Sequence, residues 1–235
     1  CLVGSEMCIR DRCIVNKYSN ERFDPSDIMT DPGEKGLDGV AICVNGRVIT
    51  SVDELESILS EAKSLDVRFI FIQAKTSEHF DGDEIGTFIY GVKAFFAPEN
   101  LRPKTNEKMD NLIMLKDEIY KHSIDMTSAP VLDLYYVCCG KWNEGNDLRA
   151  RVTLDIQPLI DTQNFTSVTF FPYDSEKIIT TYKELKKKVS RSFAMEKKVT
   201  FPPIDGVKQA FLGLVKCKDF IACLLYTSPS PRDKR

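Results

Sequence analysis

The chain has 235 residues, 43% hydrophobic and 29% charged, with a formal net charge of −3. That balance supports a buried core and excludes a histone-like or polybasic nucleic-acid binder, while leaving room for a local positive groove. No stretch reaches the ~18 apolar residues needed to span a membrane.

The two ends stand apart from the rest. Met7–Arg12 (MCIRDR) and Cys223–Ser228 (CLLYTS) back-translate into strings that are reverse complements of each other. Unrelated peptide ends have no reason to share that symmetry, and it matches the two strands of a transposon end used in sequencing-library preparation. The expectation is that residues 1–12 and 223–235 are adapter-derived, that the native chain runs from about Cys13 to Ala222, and that neither natural terminus is present. Without those ends, which carry five basic and three acidic residues, the net charge is −5. The cysteines that remain are Cys13, Cys43, Cys138, Cys139 and Cys217. Their number is odd and none forms a CxxC, which points to a reduced, cytoplasmic protein.

Cys13–Tyr18 reads as the tail of an element that begins earlier, and Ser19–Glu34, with Pro25, Pro32 and Gly33, as a loop. Gly36-Leu-Asp-Gly39 opens a strand over Val40–Val44. Asn45-Gly46 is a type I′ turn signal, so Arg47–Thr50 returns antiparallel. Ser51-Val-Asp-Glu54 is a capping box, followed by a helix to about Ser64 with Leu55, Ile58, Leu59 and Ala62 inward. Val67–Ile72 is a β-branched and aromatic run broken only by Arg68, which predicts a central strand buried on both faces, extending to Lys75. Helices are predicted over Asp83–Ala97 and about Glu107–Met126, then a strand over Val131–Cys139. A helix over Asp147–Ile156, a strand over Val168–Phe171, a helix over Ser175–Val189 and a strand over Phe193–Phe201 complete the pattern. Pro202-Pro203 marks a boundary. The alternation predicts an α/β fold: a mixed sheet with helices on both faces.

Three groups of residues could carry chemistry, and a basic run is a fourth candidate for contact with a partner. Asp38 sits between glycines at the mouth of a strand, and Gln73, Lys75 and Ser77 alternate at the end of the central one. Gln73 and Lys75 would share a face, roughly 6–7 Å apart at the backbone. If the strands adjoin, a carboxylate, an amide oxygen and an ammonium converge. A carboxylate and a carbonyl-type oxygen can hold Mg²⁺, which polarises a phosphoryl group and activates water while a cation steadies the developing charge. The plainer alternative is that Asp38 caps a turn and Lys75 snorkels outward. Asp81-Gly-Asp-Glu84 looks superficially like a cation loop, but acidic residues are expected in a helix's first turn. Cys138-Cys139, with no histidine at ligand spacing, reads as packing. Lys186–Lys188 with Arg191 reads first as a solvated helix face and second as a contact to a phosphate backbone.

Gly36-Leu-Asp-Gly-Val40 followed by Phe71-Ile-Gln-Ala-Lys75 resembles the core of the PD-(D/E)xK nuclease superfamily, in the branch related to type IV restriction endonucleases where Gln replaces the usual acid. GLDGVAICVNG, FIFIQAKTSEHFDGDEI and VTFPPIDGVKQAFLGLVKCKDF resemble the N-terminal region of abortive-infection phage-resistance (AIPR) proteins, over nearly all of Cys13–Ala222. The resemblance implies a restriction-endonuclease-like mixed sheet flanked by helices, a nuclease-like domain over 13–201, and the start of the following AIPR domain over 202–222. It further implies that Asp38 and Gln73 hold Mg²⁺ or Mn²⁺ and that Asp38, Gln73 and Lys75 are catalytic. Thr76 and Ser77 are candidates for positioning a phosphate by proximity alone. An acidic residue on the first helix, common in the superfamily, has no match after Cys13. The expected partners are nucleic acid, DNA ahead of RNA, and the missing C-terminal domain. There is room for a homodimer and no expectation of a membrane. The alternative is an inactive nuclease-like module that binds nucleic acid or passes a signal.

Overall fold

The structure is a computed structural model that describes residues 13–21, 23–30, 36–142, 146–186, 196–201 and 210–218. Asn45 and Gly46, at φ 51° and 79°, close the turn between β1 (Gly39–Val44) and β2 (Arg47–Ile49). Positive φ at both central residues is what a type I′ hairpin demands. Ahead of it, Cys13–Val15 is helical, and Pro25–Ile28 forms a short helix, α1, inside the expected loop. Asp24 caps it, and proline at the first helical position supplies the right φ.

The helix α2 (Val52–Glu61) starts at the capping box: Ser51 accepts from the Glu54 amide and the Glu54 side chain reaches back to the cap. β3 (Val67–Lys75) follows, then α3 (Gly82–Phe96) and α4 (Glu107–Lys121). α4 ends five residues before the expected Met126, and Ser123–Asp125 continues as a 3₁₀ turn. β4 (Val131–Cys138) leads to α5 (Asn146–Asp161), β5 (Ser167–Tyr173) and α6 (Ser175–Lys186). α5 runs through Pro158, past the expected end at Ile156. A proline inside a helix removes one backbone bond. Packing of Leu159, which is buried beyond it, keeps the last turn in place.

The strands form one five-stranded mixed sheet in the order β2-β1-β3-β4-β5. β1 is antiparallel to β2 and β3, whereas β3, β4 and β5 are parallel. β3 is therefore central, as its apolar run requires. One face carries Val40, Ile42, Phe69, Phe71, Leu132, Leu134 and Tyr136 against α2, α3, α4 and α5. The other carries Ala41, Cys43, Ile70, Ile72, Tyr135 and Val137 against Ile14, Val15, Ile28 and Ile178. Each large apolar side chain fully buried here contributes about 1.5–3 kcal/mol. Arg68, the one polar break in the run, points to the second face, where its guanidinium pairs with the buried Asp133 carboxylate and lies 4.5 Å from the Tyr18 ring centroid.

The chain divides into two compact units, 1–185 and 186–235. In the second, β6 (Glu196–Phe201) pairs antiparallel with β7 (Ala210–Leu214). Pro202, Pro203, Lys187, Lys188 and Arg191 lie outside the described residues. Among the described residues no helix is long and apolar enough to cross a membrane.

Candidate active site

β1 and β3 run antiparallel with Gly39 opposite Ile72, so the residue before Gly39 meets the residues after Ile72. That register brings Asp38 to the carboxyl end of β3. Its backbone amide donates to the Ile72 carbonyl at 2.9 Å. Its carboxylate oxygen Oδ2 accepts from Gln73 Nε2 and from the Ala74 amide, both at 2.7 Å. The approach is tight because Gly36, at φ +74°, leads the chain past α3. A Cβ there would stand 3.2 Å from the Phe88 backbone, and positive φ disfavours any side chain.

Gln73 is 3% exposed, and its carbonyl oxygen Oε1 is buried with no hydrogen-bond partner. A buried acceptor left unpaired costs about 1–3 kcal/mol, so this atom is either strained or reserved for a partner of positive character. Lys75, half-buried at the strand's last position, has Nζ 3.5 Å from Glu84 Oε1. The Tyr136 hydroxyl donates to Glu84 Oε2 at 3.1 Å, from a ring fully buried between Phe80 and Phe88.

Burial pushes the Asp38 carboxyl above its ordinary value, against the opposing pull of the Ala74 amide, the Lys75 charge and the Gln73 amide. Burial first, then the Glu84 carboxylate, also holds the Tyr136 phenol firmly protonated, so it can only donate to Glu84.

The loop between β3 and α3 is fastened to the end of β4. Cys138 Sγ donates to the Ser77 carbonyl at 2.9 Å and to the His79 carbonyl at 3.3 Å, and the Cys139 amide donates to the Ser77 carbonyl at 3.2 Å. Gly140 lets the loop close in: a Cβ there would fall 1.9 Å from the Glu78 carbonyl oxygen. Cys138 is thus a packing and tethering residue, whereas Cys139, read with it as packing, is exposed.

Asp38, Gln73 and Lys75 therefore share one end of the sheet. Ser77 does not share their alternation: β3 stops at Lys75, and Ser77 is exposed in the loop with its hydroxyl bonded to the His79 carbonyl. Thr76 is exposed beside it. Asp81 caps α3 through the Asp83 and Glu84 amides, as a helix start should, and Asp83 pairs with Arg151. The reading of that stretch as helix start alone missed Glu84. The available signal was an acid nine residues after Lys75 on the first turn of the next helix, with a loop short enough to fold it back.

Among the described residues no group of three or more His, Cys, Asp or Glu is arranged to hold a metal. A Mg²⁺-like cation asks less than that, since it keeps several waters and takes one or two carboxylates plus substrate oxygens. Asp38 and the orphaned Gln73 Oε1 fit such a cation on one condition. The carboxamide must turn end for end, placing Oε1 beside Asp38 Oδ2, where a cation between them, or a proton on the raised Asp38 carboxyl, relieves the repulsion. The two ends of a carboxamide are nearly the same shape, so the turn needs no repacking.

The chain matches no family model, no curated protein and no solved structure.

Proposed function

We propose that the carboxyl end of β3 is the hydrolytic centre of a metal-dependent nuclease with a restriction-endonuclease-like fold, in an anti-phage protein of the AIPR type, acting on DNA ahead of RNA. The observation that carries this is the meeting of Asp38, Gln73 and Lys75 across the β1–β3 pair, at the edge where open α/β sheets hold their ligands. Asp38 and Gln73 would hold Mg²⁺ or Mn²⁺. Such an ion supplies Lewis-acid polarisation of the phosphoryl group and a water acidic enough to attack. Lys75 would bring its ammonium to the phosphate oxygens as their charge rises, which lowers the barrier because the charge is already in place. The reaction adds one water across a P–O ester bond, leaving a phosphate monoester and an alcohol.

The rival reading is a module that binds nucleic acid or relays a signal without cutting. It draws on the described residues holding no cluster of three or more His, Cys, Asp or Glu that could bind a metal. Both readings are tested by incubating the chain with plasmid DNA and with RNA, with Mg²⁺, with Mn²⁺ and with chelator. The nuclease reading expects metal-dependent cleavage that falls about 10²–10³-fold in Lys75→Ala and in Asp38→Ala. Salt-sensitive binding with no cleavage under any condition favours the rival.

A further inference from the structure

Glu84 stands between two partners. One oxygen, Oε2, accepts from the Tyr136 hydroxyl at 3.1 Å, and the other, Oε1, lies 3.5 Å from Lys75 Nζ. The three residues come from α3, β4 and β3, and Lys75 and Tyr136 stand on neighbouring parallel strands, with Gln73 opposite Tyr136 in register. Glu84 is 43% exposed and Lys75 33% exposed. An ion pair with that much access to water is weak and loosely held when nothing else fixes it, because two long side chains lose entropy to meet. Tyr136 changes that balance. Its ring is fully buried, wedged at 5.8 Å from Phe80 and 6.1 Å from Phe88 between centroids, and its hydroxyl donates to Glu84. A rigid phenol anchoring one carboxylate oxygen leaves the other aimed at a single place.

We infer that Tyr136 and Glu84 are positioning residues that hold the Lys75 ammonium at the mouth of the site. Neither is expected to touch the scissile phosphate. The inference rests on the nuclease reading for what Lys75 does there, but not for where Lys75 is held. A lysine on a flexible four-carbon stem is otherwise free to sample solvent, and a misplacement of about 1 Å can cost as much as 10²-fold in rate.

The test combines a placement readout with a kinetic one. Lys75 is labelled with N-hydroxysuccinimide acetate, and the extent is read by peptide mass spectrometry in the unaltered chain, Tyr136→Phe and Glu84→Gln. Tyr136→Phe removes one oxygen and keeps the packed ring, and Glu84→Gln keeps shape while removing charge. Lys75 labelling is expected to rise several-fold in both variants, with labelling of the distant Lys63 and Lys121 unchanged. Where cleavage is present, kcat is expected to fall about tenfold in each variant with KM little changed, and the two losses are expected not to add. Tyr136→Phe is expected to have no kinetic effect in the Lys75→Ala background. Unchanged Lys75 labelling in both variants overturns the inference. So does loss of Mn²⁺ binding by calorimetry in Glu84→Gln with labelling unchanged, since Glu84 would then serve the cation and not the lysine. If labelling rises but the unaltered chain cuts nothing, the holding of Lys75 stands and the nuclease reading falls.

Discussion

Gln73 Nε2 lies 2.7 Å from Asp38 Oδ2, while the carbonyl oxygen of the same carboxamide is buried without a partner. The amide hydrogen does here what a cation would do: it offsets the carboxylate's charge. The arrangement satisfies Asp38 at the expense of Gln73, and a bound cation would reverse that preference.

Gln73→Glu makes the consequence measurable. It sets a second carboxylate against Asp38 in a nearly dry position, where two like charges resist ionising together. The melting temperature should fall in chelator relative to the unaltered chain. In Mn²⁺ the order should reverse in sensitivity, with the variant gaining more than the parent. Saturation at about 100 times Kd stabilises by about 2.7 kcal/mol, so a tighter site shows as a larger rise at fixed metal. Equal metal-induced shifts in the two proteins would argue that no cation sits between residues 38 and 73.

Asp38 also sets a pH dependence. Its folded-state carboxyl is raised above 3.8 by burial, so its ionised form opposes folding. The stability it contributes is present below the unfolded value and is lost as pH rises through the folded one. In urea titrations, the stability of the parent minus that of Asp38→Asn should decline over that window and then stay flat. Protons compete with a cation for the same carboxylate, so metal-induced stabilisation should weaken as pH falls through the raised value.

Gly140→Ala should loosen the loop that follows Lys75. The new Cβ would collide with the Glu78 backbone carbonyl, an atom that cannot swing aside as a side chain can. A loss of about 1–3 kcal/mol in chemical denaturation is expected from such overpacking. Hydrogen exchange at the Cys139 amide, which now donates to Ser77, should rise with it.

Arg68→Met should leave Asp133 buried without its charged partner, with the Tyr18 hydroxyl still bonded to it. Stranding one member of a buried pair typically costs about 3–5 kcal/mol. With the Arg68 side chain 27% exposed, about 2–3 kcal/mol is the better expectation. Adding Asp133→Asn should recover most of the loss, and a double-mutant cycle by urea denaturation measures it. Asp133 itself is held above its ordinary value by burial, which the Arg68 charge only partly opposes.

What could be read directly from the chain was local. Asn45-Gly46 dictated a hairpin because both residues tolerate positive φ, and Ser51 with Glu54 dictated a helix start because their side chains reach amides three positions away. The apolar run at Val67–Ile72 dictated a strand buried on both sides, and that strand is the middle one of five. Gln73 and Lys75 were legible on one face from strand alternation, but their meeting with Asp38 was conditional on β1 lying beside β3, a pairing across an intervening helix that the assembled sheet decided. What only the tertiary structure decided are pairings between distant positions: Tyr136 with Glu84, 52 residues apart, and Arg68 with Asp133, 65 apart. Nothing in the neighbourhood of either residue encodes its partner, since the partner is chosen by which strand lies alongside and how the next helix folds back. The same holds for the orphaned oxygen of Gln73. Its isolation arises from burial, and burial is a property of the assembled sheet and its helices.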